Sequence, residues 1–393
     1  MKVELEIEIG KIGARGDGIA TLEDGRRLYV PFTVPGDRVR ARLGKPRPDG
    51  FAANALALLA EGPGRGTPLC RHFGSCGGCA LQHLSAEHYR RWKLELLGEA
   101  LARQGVVAGA IRDLKVTRAG GRRRAEFSAV RRKHDVVLGL NARLSHQVID
   151  LAECPVLRPE IVALTAPLRA LLLVLLNPAD SAEVAILMSD SGLDLLIITG
   201  AQLGLKRREA LAAFAEAHDL ARIARRHPHA RGTETILERR PVRMYFADVA
   251  VAIPPGAFLQ ASAEGELALC HAVEEGAGAA RWIADLYSGC GTFALPLAAA
   301  GRTVHAFEGD EHMVEALQAV VRTTARLRVT AVRRDLDRRP LAPEELRHFD
   351  AVVFDPPRAG AGTQAEMLAR SGVKQVVAVS CNPATFTRDA RTL

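Results

Sequence analysis

Trp282-Ile283-Ala284-Asp285-Leu286-Tyr287-Ser288-Gly289-Cys290-Gly291-Thr292-Phe293 is the stretch that decides the fold of this chain. Its first half is a short apolar run, the pattern of a buried strand, and Ser288 to Phe293 is a glycine-bearing turn. Ala294-Leu295-Pro296-Leu297-Ala298 then opens a helix, with Pro296 tolerated in its first turn. Strand, glycine turn and helix begin a doubly wound α/β sheet, and Gly289 and Gly291 let the backbone approach a ligand closely. A second strand, Thr303 to Glu308, ends in an acid 23 residues after Asp285, where a carboxylate can take both hydroxyls of a ribose. The turn departs from G-x-G-x-x-G, which weakens a nicotinamide reading.

Downstream, three more strands are expected. Arg328 to Val332 leads toward Asp335, placed for an adenine contact. Phe349 to Phe354 ends in Asp355-Pro356-Pro357-Arg358-Ala359-Gly360, a rigid loop carrying a fixed carboxylate. Val373 to Val379, an apolar β-branched run, stops at Ser380-Cys381-Asn382-Pro383-Ala384-Thr385. In an open parallel sheet, ligands and chemistry gather at the carboxyl ends of the strands. Pro383 suits the first turn of a helix beginning near Ala384, so Cys381 is expected in an exposed corner where the macrodipole favours negative charge. Read without its context, the same segment would also suit a small buried core cysteine.

Composition sets the frame. The 393 residues are too many for one core, so two or three domains are expected. With 48% hydrophobic and 25% charged residues the chain reads as soluble and globular. The opening Met1 to Glu6 is no signal peptide, and the apolar run Ala170 to Leu176 is far short of a membrane span. A net charge of +8 suits a polyanionic partner. Seven unevenly spaced cysteines point to metal or catalytic thiols in a reducing compartment, hence a cytoplasmic protein.

Residues 1–60 alternate from Val3 to Ile9, and short strands follow at 18–22, 27–32 and 37–43 between Gly, Asp-Gly and Pro-Gly turns. That describes a small β-barrel. After the Gly/Pro linker Glu61 to Pro68 comes Cys70-Arg71-His72-Phe73-Gly74-Ser75-Cys76-Gly77-Gly78-Cys79. Three thiols this close read as ligands of one centre, with Cys154, followed by Pro155, as the fourth; spacing leaves zinc and iron–sulfur both open. Gly121 to Lys133 looks like one arm of a hairpin, with Val136 to Leu140 as the other. Arg122, Arg123, Arg124, Arg131, Arg132 and Lys133 make this the densest positive patch, expected to contact phosphates. Further strands are expected at 183–188 and 193–199, and an amphipathic helix over 207–224.

Two resemblances add to this reading. Gly16-Asp17-Gly18-Ile19-Ala20 with Val30-Pro31-Phe32-Thr33-Val34-Pro35-Gly36-Asp37 resembles the TRAM domain, an OB-like RNA-binding barrel. The glycine turn resembles the D-x-x-x-G-x-G loop of S-adenosylmethionine (SAM) methyltransferases. Together with F-E-G-D, D-P-P-R-A-G and S-C-N-P-A-T, it resembles the uracil-C5 RNA methyltransferase family along the whole chain. The C-x5-C-x2-C run with its distant C-P is similar to that family's ribosomal-RNA branch, whose members hold a [4Fe-4S] cluster.

The resemblance implies a Rossmann-like SAM-dependent methyltransferase domain over 241–393, an α+β iron–sulfur-containing central domain over 68–240, and an OB-like barrel over 1–60. It implies Cys381 as nucleophile and Asp355 as its catalytic companion. Gln260, Tyr287, Gly289, Gly291, Thr292, Glu308, Asp335 and Asp355 would line the SAM site, and Cys70, Cys76, Cys79 and Cys154 would hold the cluster. The expected activity is methylation of uridine C5 in RNA, 23S ribosomal RNA first and tRNA second, by a monomer with no membrane attachment. The helix N-terminus and a nearby arginine, Arg358 or Arg388, are expected to assist the thiolate. Two departures stand out: Ala261-Ser262 follows Gln260 where the family has Asn nearby, and the sequence ends at Leu393, before the family's glutamate base. A catalytically impaired RNA-binding or cluster-carrying relative is therefore the alternative. An amino-methyltransferase fits less well, because Arg358 stands where D-P-P loops of that class carry an aromatic residue.

Overall fold

The computed structural model describes residues 3–393. The chain divides into two compact units. One holds the residues up to Glu99, Gly109–Leu114 and Leu140–Pro155; the other holds Ala100–Ala108, Lys115–Gly139 and Val156–Leu393.

In the first unit, β1 (Glu4–Glu8), β2 (Lys11–Ile12), β3 (Gly18–Thr21), β4 (Arg27–Val30), β5 (Arg38–Arg47) and β6 (Gly50–Ala60) form one sheet in the order β1-β5-β6-β4-β3-β2. Ile9, Leu28, Val30, Val39 and Ala41 are at its core. The strands expected from alternation are present. The long β6 was not foreseen, because Ala52 to Leu59 is built from alanine, leucine and one asparagine, a composition that favours helix. Its antiparallel pairing with β5 overrides that preference. Asp37 explains the Pro-Gly-Asp turn. Its carboxylate is wholly buried and accepts hydrogen bonds from Val34 N–H (2.7 Å), Gly62 N–H (2.8 Å) and the Arg65 guanidinium. Burial alone would raise its pKa, but these donors prevail and hold it below the usual value.

Helix α1 (Ala86–Arg103) follows. In the second unit β7 (Arg124–Arg131) and β8 (Val136–Asn141) form the expected antiparallel hairpin, closed by Arg132 N–H to the Asp135 carbonyl at 2.8 Å. The short β9 (Val148–Asp150) belongs to the first unit. Helix α2 (Pro159–Leu175) packs on β7 and β10 (Ser181–Ser189). β10 pairs antiparallel with β7 and with β11 (Gly192–Ile198); β10 and β11 are the two strands expected at 183–188 and 193–199.

The helix expected over 207–224 is corrected. Helix α3 (Leu205–Ala217) stops before Asp219, which adopts a left-handed φ of +48°. Leu220–Arg226 is strand β12, parallel to β11 and edged by β13 (Glu234–Glu238). Leu220, Ala221, Ile223 and Ala224 are all buried, and a segment covered on both faces has no alternation to betray it.

A two-stranded sheet of β14 (Arg243–Phe246) and β15 (Val249–Ala252) leads to α4 (Ala263–Ala277), capped by the Ser262 hydroxyl, which accepts from Gly265 N–H at 3.1 Å. The remaining chain alternates β16 (Trp282–Leu286), α5 (Ala294–Ala299), β17 (Thr303–Glu308), α6 (Glu311–Thr323), β18 (Val329–Arg333), α7 (Pro343–Leu346), β19 (Ala351–Phe354), α8 (Gly362–Ala369), β20 (Gln375–Ala378) and α9 (Pro383–Thr392). All five strands are parallel, in the order β18-β17-β16-β19-β20. The order reverses at β16, so the crevice between the ends of β16 and β19 is the topological switch point at which ligands bind such sheets. β20 is half-buried and lies at the sheet edge, where the sequence read as a buried strand. Among the described residues no helix is long and apolar enough to cross a membrane.

Candidate active site

The carboxyl ends of β16, β17, β19 and β20 assemble the site. After β16 the backbone turns through left-handed conformations at Tyr287 (φ +59°), Gly289 (+56°) and Gly291 (+95°). A Cβ at Gly291 would stand 2.8 Å from the Leu317 side chain and 3.1 Å from that of Leu295, in a backbone conformation that side-chain-bearing residues rarely adopt. Glu308, at the end of β17, accepts from Gly289 N–H at 2.8 Å and from Asp310 N–H at 2.9 Å. The acid expected at a ribose position is thereby tied to the glycine turn.

Asp285 is completely buried, and neither of its oxygens has a hydrogen-bond partner of good geometry; the hydroxyl of buried Ser288 is likewise unpartnered. Burial first, then the charges of Asp355 and Glu308, push the Asp285 pKa well above the ordinary carboxylate value. Asp355, at the end of β19, is pushed up to about 6 by burial, against the opposing hydrogen bond that Gln260 Nε2 donates to its Oδ2 at 3.0 Å. Gln260 comes from the segment between β15 and α4, so the sequence-distant pair Gln260 and Asp355 meets as expected.

Cys381 is exposed. Val379 N–H donates to the Phe354 carbonyl at 2.9 Å, which sets the Ser-Cys-Asn-Pro corner beside the Asp355 loop. The Asn382 side chain accepts from Ala384 N–H at 3.1 Å, capping α9, and donates to the Arg358 carbonyl at 3.2 Å. Thr385 donates to the same carbonyl at 3.3 Å. The exposed-corner reading of Cys381 holds, and the two loops are tied together.

Arg388 is corrected as a partner for the thiol. It is held by Asp389 at 2.6 Å and donates to the Ala359 carbonyl at 3.1 Å. Asp389 itself is buried and accepts from Ala361 N–H at 2.7 Å, a role that its sequence gave no sign of. A cavity of about 200 Å³ opens beside these groups, lined by Tyr287, Asp337, Ala359, Gly360 and Arg388. The Tyr287 hydroxyl donates to Asp337 at 3.2 Å. Thr292 lies half-buried in the glycine turn, its carbonyl accepting from the Cys270 thiol at 3.4 Å. Asp335 is exposed and accepts from Arg338 N–H at 3.1 Å.

In the first unit the four expected cysteines lie in neighbouring loops. Ala152 N–H donates to His72 Nε2 at 3.2 Å and Arg71 N–H to Glu153 at 3.0 Å, joining the Cys154 loop to the Cys70 loop. Burial, with the charges of Cys79, Cys154 and Cys70 behind it, pushes the Cys76 thiol pKa up. Among the described residues, however, no three His, Cys, Asp or Glu side chains already stand in a geometry that would hold a metal ion.

The basic patch divides. Arg122, Arg132 and Lys133 are exposed, and Arg124 stacks its guanidinium 4.3 Å from the Phe258 ring centre. Arg131 is half-buried and donates to the Arg132 carbonyl. Arg123 is corrected as a phosphate contact: it is 5% exposed and ion-paired at 2.5 Å with buried Glu266. Nothing in the sequence marks Glu266 as its partner, 143 residues away.

A family model described as tRNA (Uracil-5-)-methyltransferase matches residues 247–393. An uncharacterized RNA methyltransferase of Brucella suis is 44% identical over 385 residues, covering 98% of this chain and 89% of the relative. The 23S rRNA (uracil(1939)-C(5))-methyltransferase RlmD of Halomonas elongata is 36% identical over 417 residues, covering 98% of this chain and 82% of that protein. The fold is shared with the Pyrococcus abyssi tRNA (uracil-54, C5)-methyltransferase, solved with S-adenosyl-L-homocysteine, at a TM-score of 0.75 and 23% identity, over 99% of this chain and 92% of that one. With relatives of this identity along nearly its full length, the chain belongs to the RNA (uracil-C5) methyltransferase family.

Proposed function

We propose that the protein methylates C5 of a uridine in 23S ribosomal RNA, with SAM as methyl donor and Cys381 as covalent nucleophile. The observation that carries this reading is an exposed cysteine at the carboxyl edge of β20, pinned through Asn382 and Thr385 to the loop of Asp355. Uracil C5 is too weak a nucleophile to take a methyl group unaided. Addition of the Cys381 sulfur to C6 places an electron pair at C5, which forms the new carbon–carbon bond. Loss of the C5 proton then expels the thiolate and restores the ring. Asp355 holds the uracil edge and, ionised above about pH 6, takes that proton; Asp389 is spoken for by Ala361 and Arg388.

SAM, when bound, supplies an electrophilic methyl group, and Gln260, Tyr287, Gly289, Gly291, Thr292, Glu308 and Asp335 are the residues that would hold it. The partnerless hydroxyl of buried Ser288, beside the glycine turn, is an orphaned polar group that fits a polar ligand lying against that turn. The target base must leave its stack to reach such a corner, and exposed Phe258 is the aromatic face at hand.

Cys70, Cys76, Cys79 and Cys154 would hold a [4Fe-4S] cluster, because four cysteines on two loops joined by hydrogen bonds are a soft-metal donor set. Its role is structural or RNA-positioning, since the transfer draws no electrons from the protein. The barrel, as a TRAM domain, and Arg122, Arg124, Arg131, Arg132 and Lys133 would meet RNA phosphates, in a cytoplasmic monomer. Tritium transfer from labelled SAM into 23S rRNA, followed by nucleoside separation, tests the reading: 5-methyluridine is expected, and label in another nucleoside or in none overturns it. The same assay on tRNA tests the second reading, which the description of the matching family model favours.

A further inference from the structure

Residues 122–124 lie alongside the segment that carries Gln260. Arg122 makes an antiparallel bridge with Ser262, and Arg123 N–H donates to the Ala261 carbonyl at 2.9 Å. The Arg123 side chain reaches further: Nε donates to the Gln260 carbonyl at 3.0 Å, and Nη2 to Glu266 on α4 at 2.5 Å. Gln260 belongs to neither a strand nor a helix; β15 ends at Ala252 and α4 begins at Ala263. Its backbone is therefore fixed from outside, on one side by Arg123 and on the other by the Ser262 cap. Its side chain, so held, meets Asp355 at 3.0 Å.

We propose that Arg123 is a positioning residue for the active site, clamping the Gln260 backbone so that its amide engages Asp355, and is not a phosphate contact. The inference rests on the reading that Gln260 and Asp355 belong to the methyl-transfer site. The charge economy favours it. Arg123 and Glu266 are 5% and 8% exposed. Removing two such charges from water roughly cancels their attraction, so a pair of this kind is better explained by the geometry it imposes than by stability. A phosphate could recruit Arg123 only by leaving Glu266 buried and unpaired, whereas exposed Arg122, Arg132 and Lys133 are open to solvent at no such cost.

Arg123→Met alone would strand the Glu266 charge and confound unfolding with misplacement. The informative variant is the double Arg123→Met/Glu266→Leu, which removes both charges and fills the space with apolar atoms. Asp355 is the reporter. Asp285 on β16 feels the Asp355 charge, Glu308 on β17 acts on Asp285, and both acids remain in the variant. The Gln260 hydrogen bond opposes the upward push of burial on Asp355, so its loss raises that titration.

With selectively 13C-labelled aspartate and Asp355→Asn for assignment, the double variant should fold, and its Asp355 carboxyl should titrate about one unit higher than wild type without any RNA present. Its kcat should fall about tenfold with the RNA KM and the salt dependence of RNA binding unchanged. An unshifted Asp355 titration in the folded double variant overturns the proposal, as does a flattened salt slope, which would return Arg123 to phosphate binding. Failure of the wild type to methylate any uridine would count against the proposed function, while the titration would still decide the role of Arg123.

Discussion

Replacing Gln260 by methionine keeps the volume of the side chain and removes the hydrogen bond to Asp355 Oδ2, which is 3.0 Å long. Burial already lifts the Asp355 pKa from 3.8 to about 6, against that bond. A folded-state pKa above the unfolded one means the folded protein binds the proton more tightly. The contribution of this group to stability is present in full below about pH 4 and is lost as pH rises through about 6, a change of roughly 3 kcal/mol at 1.36 kcal/mol per unit. A hydrogen bond to a charged acceptor contributes about 1.5–3 kcal/mol, which corresponds to about one to two pKa units. In Gln260→Met the acid limb of single-turnover release of 5-methyluridine product, the step that needs the C5 proton removed, should therefore move from about pH 6 to about pH 7–8, with the alkaline side unchanged. Single turnover at saturating donor separates this shift from weakened SAM binding. An acid limb that stays near its wild-type position would refute the reasoning, because it would mean either that Asp355 does not act as a carboxylate or that Gln260 does not tune it.

Protein purified without oxygen should carry iron and acid-labile sulfide in equal amounts, and Cys154→Ser should lower both; stoichiometric zinc without sulfide would remove the cluster. Charge reversal at Arg122, Arg132 and Lys133 should weaken RNA binding and reduce the slope of log K against log salt by about 0.7–0.9 for each phosphate that the protein no longer neutralises, measured by fluorescence anisotropy. An unchanged slope would make this face ordinary solvated surface. Asp389→Ala leaves Ala361 N–H without its acceptor and Arg388 without its partner, so thermal unfolding should show a loss of about 2–4 kcal/mol. A change below about 0.5 kcal/mol would mean the loop is held by other contacts.

The doubly wound sheet was legible because four of its five strands are short, largely apolar runs with a residue of chemistry at or near the end: Asp285, Glu308, Asp355 and Cys381. Periodicity carries that signal directly. It assigned nothing at β6, whose alanine and leucine carry no strand signal, and it missed β12, where a segment covered on both faces has no alternation. Pairing partners far along the chain supplied what local pattern could not. The site was legible where a motif keeps its residues adjacent, as at Ser380 to Thr385. It was misread where function depends on a distant partner. Arg123 looks like its neighbours Arg122 and Arg124 until Glu266 is found beside it, and Arg388 looks free to aid a thiol until Asp389 takes it. Charge read along a sequence does not reveal which charges are already neutralised in space.

The central claim is that Cys381 bonds to the target base. RNA carrying 5-fluorouridine tests it most directly, since addition and methylation can proceed while the proton that must leave C5 has been replaced by fluorine. After incubation with SAM and this RNA, the protein should run on a denaturing gel as a slower, covalent protein–RNA band that needs SAM and vanishes in Cys381→Ala. Methylation of ordinary uridine by Cys381→Ala at the wild-type rate, or an adduct that persists in that variant, would contradict the account.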